Sequence, residues 1–231
     1  MNKIVTFSFG RKQSARVPNK MLRPFAGTTL VDIALAKLKA VDAGAFFAGF
    51  EDEFRAKCAE HGVRFVQRDV QSIGIDGPIA DILSFLRDVD AKYVLLVSAC
   101  NPFLSVEHIR DFRARCVEGG HRPAISVKRH RKHFVTTDAR ALNFDLGAKT
   151  LNNKIVEPIF ELVDGLYFFE KEFFLTHGTY WRWPEVRFLE VGGDDLLIDV
   201  DTETDFAVAE TLWSSGYRAD ARATVNASKE R

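Results

Sequence analysis

Ile4-Val-Thr-Phe-Ser-Phe9 runs directly into Gly10-Arg-Lys-Gln-Ser-Ala-Arg-Val-Pro-Asn-Lys20, and that junction decides how the chain is read. The first stretch reads as a short β-strand. The second is a polar loop, and with Arg23 it places five cations (Arg11, Lys12, Arg16, Lys20, Arg23) within thirteen positions. Open α/β sheets bind ligands beyond the carboxyl ends of their strands, so the loop lies where a ligand is expected. Like charges crowded in one loop repel each other unless a polyanion neutralises them, and a nucleoside triphosphate fits that need. No Gly-Lys-Ser/Thr follows Gly10 at Walker A spacing. On spacing alone, a solvated basic turn is equally consistent.

Outward from this junction, short β-like runs alternate with helical patterns. Thr29 is placed to cap a helix over residues 30–40, with Leu30, Ile33, Ala34 and Leu38 on one face. Strands are expected at 45–49, 63–67, 93–98 and 123–127, and helices at 51–61, 79–89 and from the Ser105 cap to Cys116. A loop of Gly74, Asp76, Gly77 and Pro78 precedes the helix at 79–89. Asn101-Pro102 ends the strongest strand, 93–98. The order predicts an α/β fold with a mostly parallel sheet and helices on both faces. From 129 to 163 the rhythm breaks, which reads as an excursion from one domain spanning 1–217. Strands at 165–169, 186–191 and 196–201 and a helix at 203–215 complete it, and a polar tail occupies 218–231.

Composition narrows the function classes. The 231 residues are 46% hydrophobic and 28% charged, enough for a real core. Lys+Arg and Asp+Glu are 32 each, and the zero net charge argues against a surface built for nucleic acid or anionic membrane. The apolar runs fall far short of the ~20 residues that span a bilayer. Cys58, Cys100 and Cys116 are an odd, widely spaced set, which disfavours a disulfide framework and suggests a reducing cytoplasm.

A second chemical feature is Leu196-Leu-Ile-Asp-Val-Asp201. Alternation along a strand puts Asp199 and Asp201 on one face, roughly 7 Å apart. Two carboxylates so placed call for a cation, and hard oxygen donors in small number suit Mg²⁺. The bland alternative is that Asp201 ends the strand. Thr202-Glu-Thr-Asp205 has a capping-box pattern, so Asp205 reads as structural.

Arg11-x-x-Ser14-x-Arg16-x-Pro18-x-Lys20 and Arg23-Pro-Phe-x-Gly27-x-x-Leu30 closely resemble the N-terminal motif of CMP-sialic acid synthetases (acylneuraminate cytidylyltransferases). Ile198-Asp199-Val-Asp201-x-Glu203-x-Asp205-Phe206 looks like that family's C-terminal metal motif. Residues 93–102 and Asp164-Gly165-Leu-Tyr167-Phe-Phe169 match its central strands. The resemblance covers nearly the whole chain. It implies a Rossmann-like, three-layer nucleotidyltransferase (GT-A-like) fold in which CTP and a nonulosonic sugar acid give CMP-sugar and pyrophosphate. Arg11, Ser14, Arg16 and Lys20 would hold the triphosphate, with Arg68 and Asp76 completing the nucleotide pocket. Asp199 and Asp201 would hold Mg²⁺; Arg16, Lys20 and Asp201 would be the catalytic set. Ser98, Asn101 and Asp164 fall at sugar-side positions. A homodimer is implied, with 129–163 as a dimerisation segment.

The chain departs from the family pattern at Gln13, Ala15 and Met21, in Ser98-Ala-Cys100-Asn101-Pro102, and at Asp164, where Asn is expected. These changes suggest an unusual acceptor or a degenerate member that binds without turnover. Cys100 stands where KDO-type synthetases carry Asp, which disfavours that branch. Lys128-Arg-His-Arg-Lys-His133 leaves room for a sugar carboxylate or a polyanion such as RNA, or for a solvated loop. Cys58-Ala-Glu-His61 lacks a second ligand pair and reads as ordinary helix.

Overall fold

β1 (Ile4–Phe9) is buried on both faces, with Val5 and Phe7 on one side and Thr6 and Ser8 on the other, so it belongs at the centre of a covered sheet. The computed structural model describes residues 2–73, 77–192 and 198–217. β1 pairs in parallel with β2 (Phe46–Gly49) and β4 (Tyr93–Val97), and β3 (Arg64–Gln67) adds in parallel beyond β2. β6 (Ile159–Glu170) runs antiparallel between β4 and β5 (Ala124–His130), and β7 (Arg187–Glu190) pairs in parallel with β5. The resulting order is β3-β2-β1-β4-β6-β5-β7. This is the expected α/β, mostly parallel sheet.

Helices cover both faces. On one side lie α1 (Leu30–Val41), α2 (Asp52–His61), α4 (Val106–Glu118) and α6 (Glu203–Ser214). The other face packs Val5, Phe7, Phe46 and Phe169 against the short α3 (Ile79–Ile82), a 3₁₀ turn at Ser84–Asp88, and α5 (Lys171–His177). Caps set the helix starts as the sequence suggests. Thr29 accepts from the Asp32 amide, Ser105 from that of His108, and Thr202 from that of Asp205, whose carboxylate returns to the Thr202 amide.

Three expectations are corrected. The helix expected over 79–89 breaks at Leu83 (φ −106°, ψ 21°), because the break lets Leu83, Phe85, Leu86 and Val89 all enter the core beneath β1. The strand expected at 196–201 is not formed at 198–201, where one backbone bond (Val200 N to Cys100 O, 3.0 Å) stands in place of a ladder; 196 and 197 lie outside the described residues. The side-chain alternation nevertheless holds there, since Val200 and Ile198 face the core. Finally, the break in rhythm at 129 is not where the sheet stops: Val127–Lys128–Arg129–His130 pair with Leu162–Glu161–Phe160–Ile159, extending a hairpin out from the sheet. The irregular 131–158 connection is gathered by Asn143, whose amide donates to Lys132 O (2.8 Å) and Glu157 O (2.7 Å) and accepts from Phe134 N (3.0 Å).

α1 and α2 are joined by a nearly buried ionic cluster. Asp32 accepts from Thr29 Oγ1 (2.7 Å) and His61 Nε2 (2.9 Å) and pairs with Lys57 Nζ (3.2 Å). His61 is thus the structural residue its spacing suggested. Burial opposes the charged carboxylate, but His61, Thr29 and Lys57 outweigh it and hold Asp32 down to about 2. A carboxylate depressed in the folded state contributes stability above its unfolded value and loses it as pH falls toward the folded one. Asp32→Asn should therefore lower the urea-unfolding free energy by about 2 kcal/mol at pH 7. The gap from wild type should close between about pH 4 and pH 2; an equal deficit at both ends of that window would remove the linkage.

Candidate active site

The basic loop is a folded structure and not a solvated turn. Gly10 seats its start: its amide donates to Ala48 O (3.0 Å), and a Cβ there would sit 2.9 Å from the buried Phe47 ring. Val17 and Met21 are buried, and Asn19 carries the tight turn at φ 55°, accepting from Leu22 N and Arg23 N. These anchors sort the five cations. Lys12 turns away to Glu53 (2.5 Å), and Arg23 Nη1 donates to both carboxylate oxygens of Glu203 (2.8 and 3.0 Å). Arg11, Arg16 and Lys20, with Ser14, line a cavity of about 630 Å³ at the carboxyl ends of β1 and β4.

The acidic stretch closes on the same place. Lys20 Nζ donates to Val200 O (2.7 Å) and lies 3.3 Å from Asp201 Oδ1, and Arg16 Nη2 lies 2.8 Å from that oxygen. Segments 181 positions apart thus share one ionic cluster. Burial alone would lower the Lys20 ammonium, but Cys100, Asp201 and Asp199 outweigh it and raise it. Burial also pushes the Cys100 thiol up to about 11, so at neutral pH it is protonated and the carboxylates supply the compensating charge. Asp199 is pushed up to about 7 by burial and by Asp164 and Asp201, against the pull of Lys20 and Arg16. Its Oδ1 is buried without a hydrogen-bond partner among the described residues. Asp164, on β6, opens onto the cavity beside Tyr167 and is raised by burial and by Asp201.

The remaining residues divide. Ser98 lines the cavity and accepts from Cys100 N (3.3 Å). Arg68 lines it too, but the residue is only 2% exposed and its guanidinium is bound internally, to Gly10 O (3.0 Å), Ser72 Oγ (3.2 Å) and Ser72 O. It lies over Phe9 and is lowered to about 10 by burial and by Arg11. Arg68 thereby braces the start of the basic loop against the turn after β3. Asn101 is not brought to the cavity: it is 1% exposed, because the Asn101-Pro102 turn folds inward. Asp76 lies outside the described residues. None of Lys128–His133 lines the cavity; Arg129 pairs with Glu190 (2.9 Å), which neutralises part of that stretch, and His130 Nε2 contacts Glu161 (2.5 Å). Sequence reasoning missed Tyr180, which joins Tyr167 on the cavity wall (rings 5.1 Å apart). It also missed Lys37, a cation set inside the apolar stripe of α1.

Among the described residues, no three or more His, Cys, Asp or Glu side chains gather as a metal cluster, and no helix is long and apolar enough to cross a membrane. Residues 10–158, well over half of the chain and including the whole basic loop, match the MobA-like NTP transferase domain family. The chain belongs to this family. It is a nucleotidyltransferase, and its fold is widely shared. A CMP:2-keto-3-deoxy-manno-octonic acid synthetase complexed with CTP superposes with a TM-score of 0.67 at 14% identity, over 92% of this chain and 99% of that one. A 4-diphosphocytidyl-2C-methyl-D-erythritol synthase from Anaerococcus prevotii gives 0.62 at 11%, over 92% and 96%. A cytidylyltransferase from Leptospira borgpetersenii gives 0.62 at 12%, over 99% and 94%. At these identities the likeness is one of fold. No curated protein sequence matches. The domain match is broader than the CMP-sialic acid synthetase resemblance seen in the motifs.

Proposed function

We propose that this nucleotidyltransferase is a cytidylyltransferase that joins CMP from CTP to a hydroxyl of a sialic-like (nonulosonic) sugar acid. The observation that carries the reading is the contact of Asp201, which itself lies behind the cavity wall, with two cations of that wall, Arg16 and Lys20. Arg11, Arg16 and Lys20 are placed to neutralise a triphosphate and the pyrophosphate that leaves it. The acceptor oxygen bonds the α-phosphorus as the bond from that phosphorus to the bridging oxygen breaks. Asp164, raised and open to the cavity, takes the hydroxyl proton. The chain's work is mainly positioning and charge neutralisation.

Asp199 and Asp201 fit a Mg²⁺ requirement, since Asp199 Oδ1 is buried without a hydrogen-bond partner among the described residues and burial, Asp164 and Asp201 raise its carboxyl despite Lys20 and Arg16. Bound there, the ion would supply further neutralisation of phosphate charge. The resemblance in the motifs supports CTP, as do three fold neighbours: a CMP-sugar acid synthetase complexed with CTP, a diphosphocytidyl-methylerythritol synthase and a cytidylyltransferase. A KDO-type acid is the second reading, favoured by the CMP-KDO synthetase among those neighbours. Exposed Val135, Leu142, Leu146, Leu151 and Ile155, on the connection beyond the β5–β6 hairpin, support a homodimer through this segment. Three free cysteines accord with a cytoplasmic setting.

The test is pyrophosphate release from CTP and Mg²⁺ with a panel of nonulosonic acids and KDO, with light scattering for the dimer. Release with one acid, and not with UTP or ATP in place of CTP, is expected. CTP binding with no product from any acid would make the chain a degenerate binder. Absence of CTP binding would remove the reading.

A further inference from the structure

We infer that Lys37 is a positioning residue of this site, acting through the Asn101-Pro102 turn on the segment that carries Asp199 and Asp201. Lys37 belongs to α1, not to any wall of the cavity, and is 3% exposed. Its Nζ donates to Asn101 O (2.9 Å) and Pro102 O (2.7 Å). The turn it holds offers Cys100 O to Val200 N at 3.0 Å, and Val200 O in turn receives Lys20 Nζ at 2.7 Å. A chain of bonds therefore runs from α1 through the turn after β4 to the carboxylate segment and back to the phosphate-side loop.

Among the described residues no carboxylate compensates Lys37, and burial pushes its ammonium down to about 7. A cation kept in an apolar stripe at that cost must do something a leucine would not. Here the two carbonyls of a tight, buried turn have Lys37 as donor. Without it Pro102 O would be stranded and Asn101 O left with only the long bond from Leu104 N (3.4 Å), and the turn would shift to reach water. Since Val200 makes its one backbone donor bond to this turn, such a shift would carry Asp199 and Asp201 with it. An error of about 1 Å in such groups can cost on the order of a hundredfold in turnover. This role rests on the nucleotidyltransfer reading, but the link from Lys37 to Val200 does not.

The experiment is Lys37→Met, which keeps the side chain's length and removes its donors. Asp32→Asn, on the same helix but bonded to α2, is the control for loosening of α1. Amide hydrogen exchange at Val200 should accelerate about tenfold in Lys37→Met and stay near wild type in Asp32→Asn. In the pyrophosphate assay, kcat should fall at least about tenfold in Lys37→Met with KM for CTP within about twofold. Lys37→Gln keeps amide donors on a shorter stem; it should recover part of both effects, and it carries the test if the methionine variant does not fold. Unchanged Val200 exchange, or equal acceleration in Asp32→Asn, overturns the inference. Selective acceleration at Val200 in a protein that shows no CTP-dependent turnover would sustain the link and sink the cytidylyltransferase reading instead.

Discussion

Asp201→Ala should lower CTP-dependent pyrophosphate release by about a thousandfold, the range seen when one preorganised electrostatic group is removed from an active site. Among the described residues Asp201 is the one carboxylate in contact with both Arg16 and Lys20, and its loss frees two cations from their fixed positions. It also leaves Asp199 alone as a donor for a divalent ion. The fold should survive: the side chain is 36% exposed, and the buried Val200 beside it keeps its core contacts. The thermal midpoint should thus move by no more than about 2–4 °C, equivalent to about 1 kcal/mol in a chain of this size. CTP binding measured in EDTA should not weaken, because the carboxylate competes with phosphate for the same cations. Turnover within threefold of wild type would take Asp201 out of the mechanism, and a collapse of the melting point would make its role structural.

Lys20→Met should raise KM for CTP by roughly ten- to a hundredfold, since a charge-assisted hydrogen bond contributes about 1.5–3 kcal/mol and each 1.4 is a factor of ten. Lys20 is the more enclosed of the two cavity cations in ionic contact with Asp201, with a side chain 14% exposed against 64% for Arg16. It is held by Val200 O as well as Asp201, so it is already aimed before any nucleotide arrives. Preorganised charge is worth more than mobile charge because no reordering accompanies binding. Lys12→Met supplies the contrast. That ammonium is committed to Glu53 outside the cavity, and KM should move by less than about twofold, as exposed pairs contribute little. Equal effects at Lys20 and Lys12 would mean that the loop acts only as diffuse positive charge.

Much of the fold can be read without coordinates, for specific reasons. β1 ends at Phe9 and the cations begin just beyond it, so hydropathy alone marks where the sheet stops and the ligand side starts. The Thr29, Ser105 and Thr202 caps are local, since a hydroxyl bonding an amide three residues on needs no tertiary partner. The reverse direction of β6 is not legible, because alternation has the same period either way and only pairing with β4 and β5 sets direction. α5 escaped because it is short and buries one residue, Phe174. The 198–201 stretch shows both sides at once: its alternation is real, yet a ladder requires a neighbouring strand that those residues do not have.

The sequence by itself determined the layered α/β order, the caps, and the presence of one basic and one acidic stretch, because composition and periodicity are properties of neighbours along the chain. Tertiary structure decided which charges matter. It turned Lys12 and Arg23 outward, bound Arg68 to backbone, drew Asn101 inward, and set Arg16 and Lys20 against Asp201. It also placed the unheralded Lys37 beneath the turn after β4. The physical reason is that the range of a charge–charge or hydrogen-bonding contact is a few ångströms in space. Separation in sequence places no limit on it, and only the packing of the sheet and its helices fixes which groups come that close.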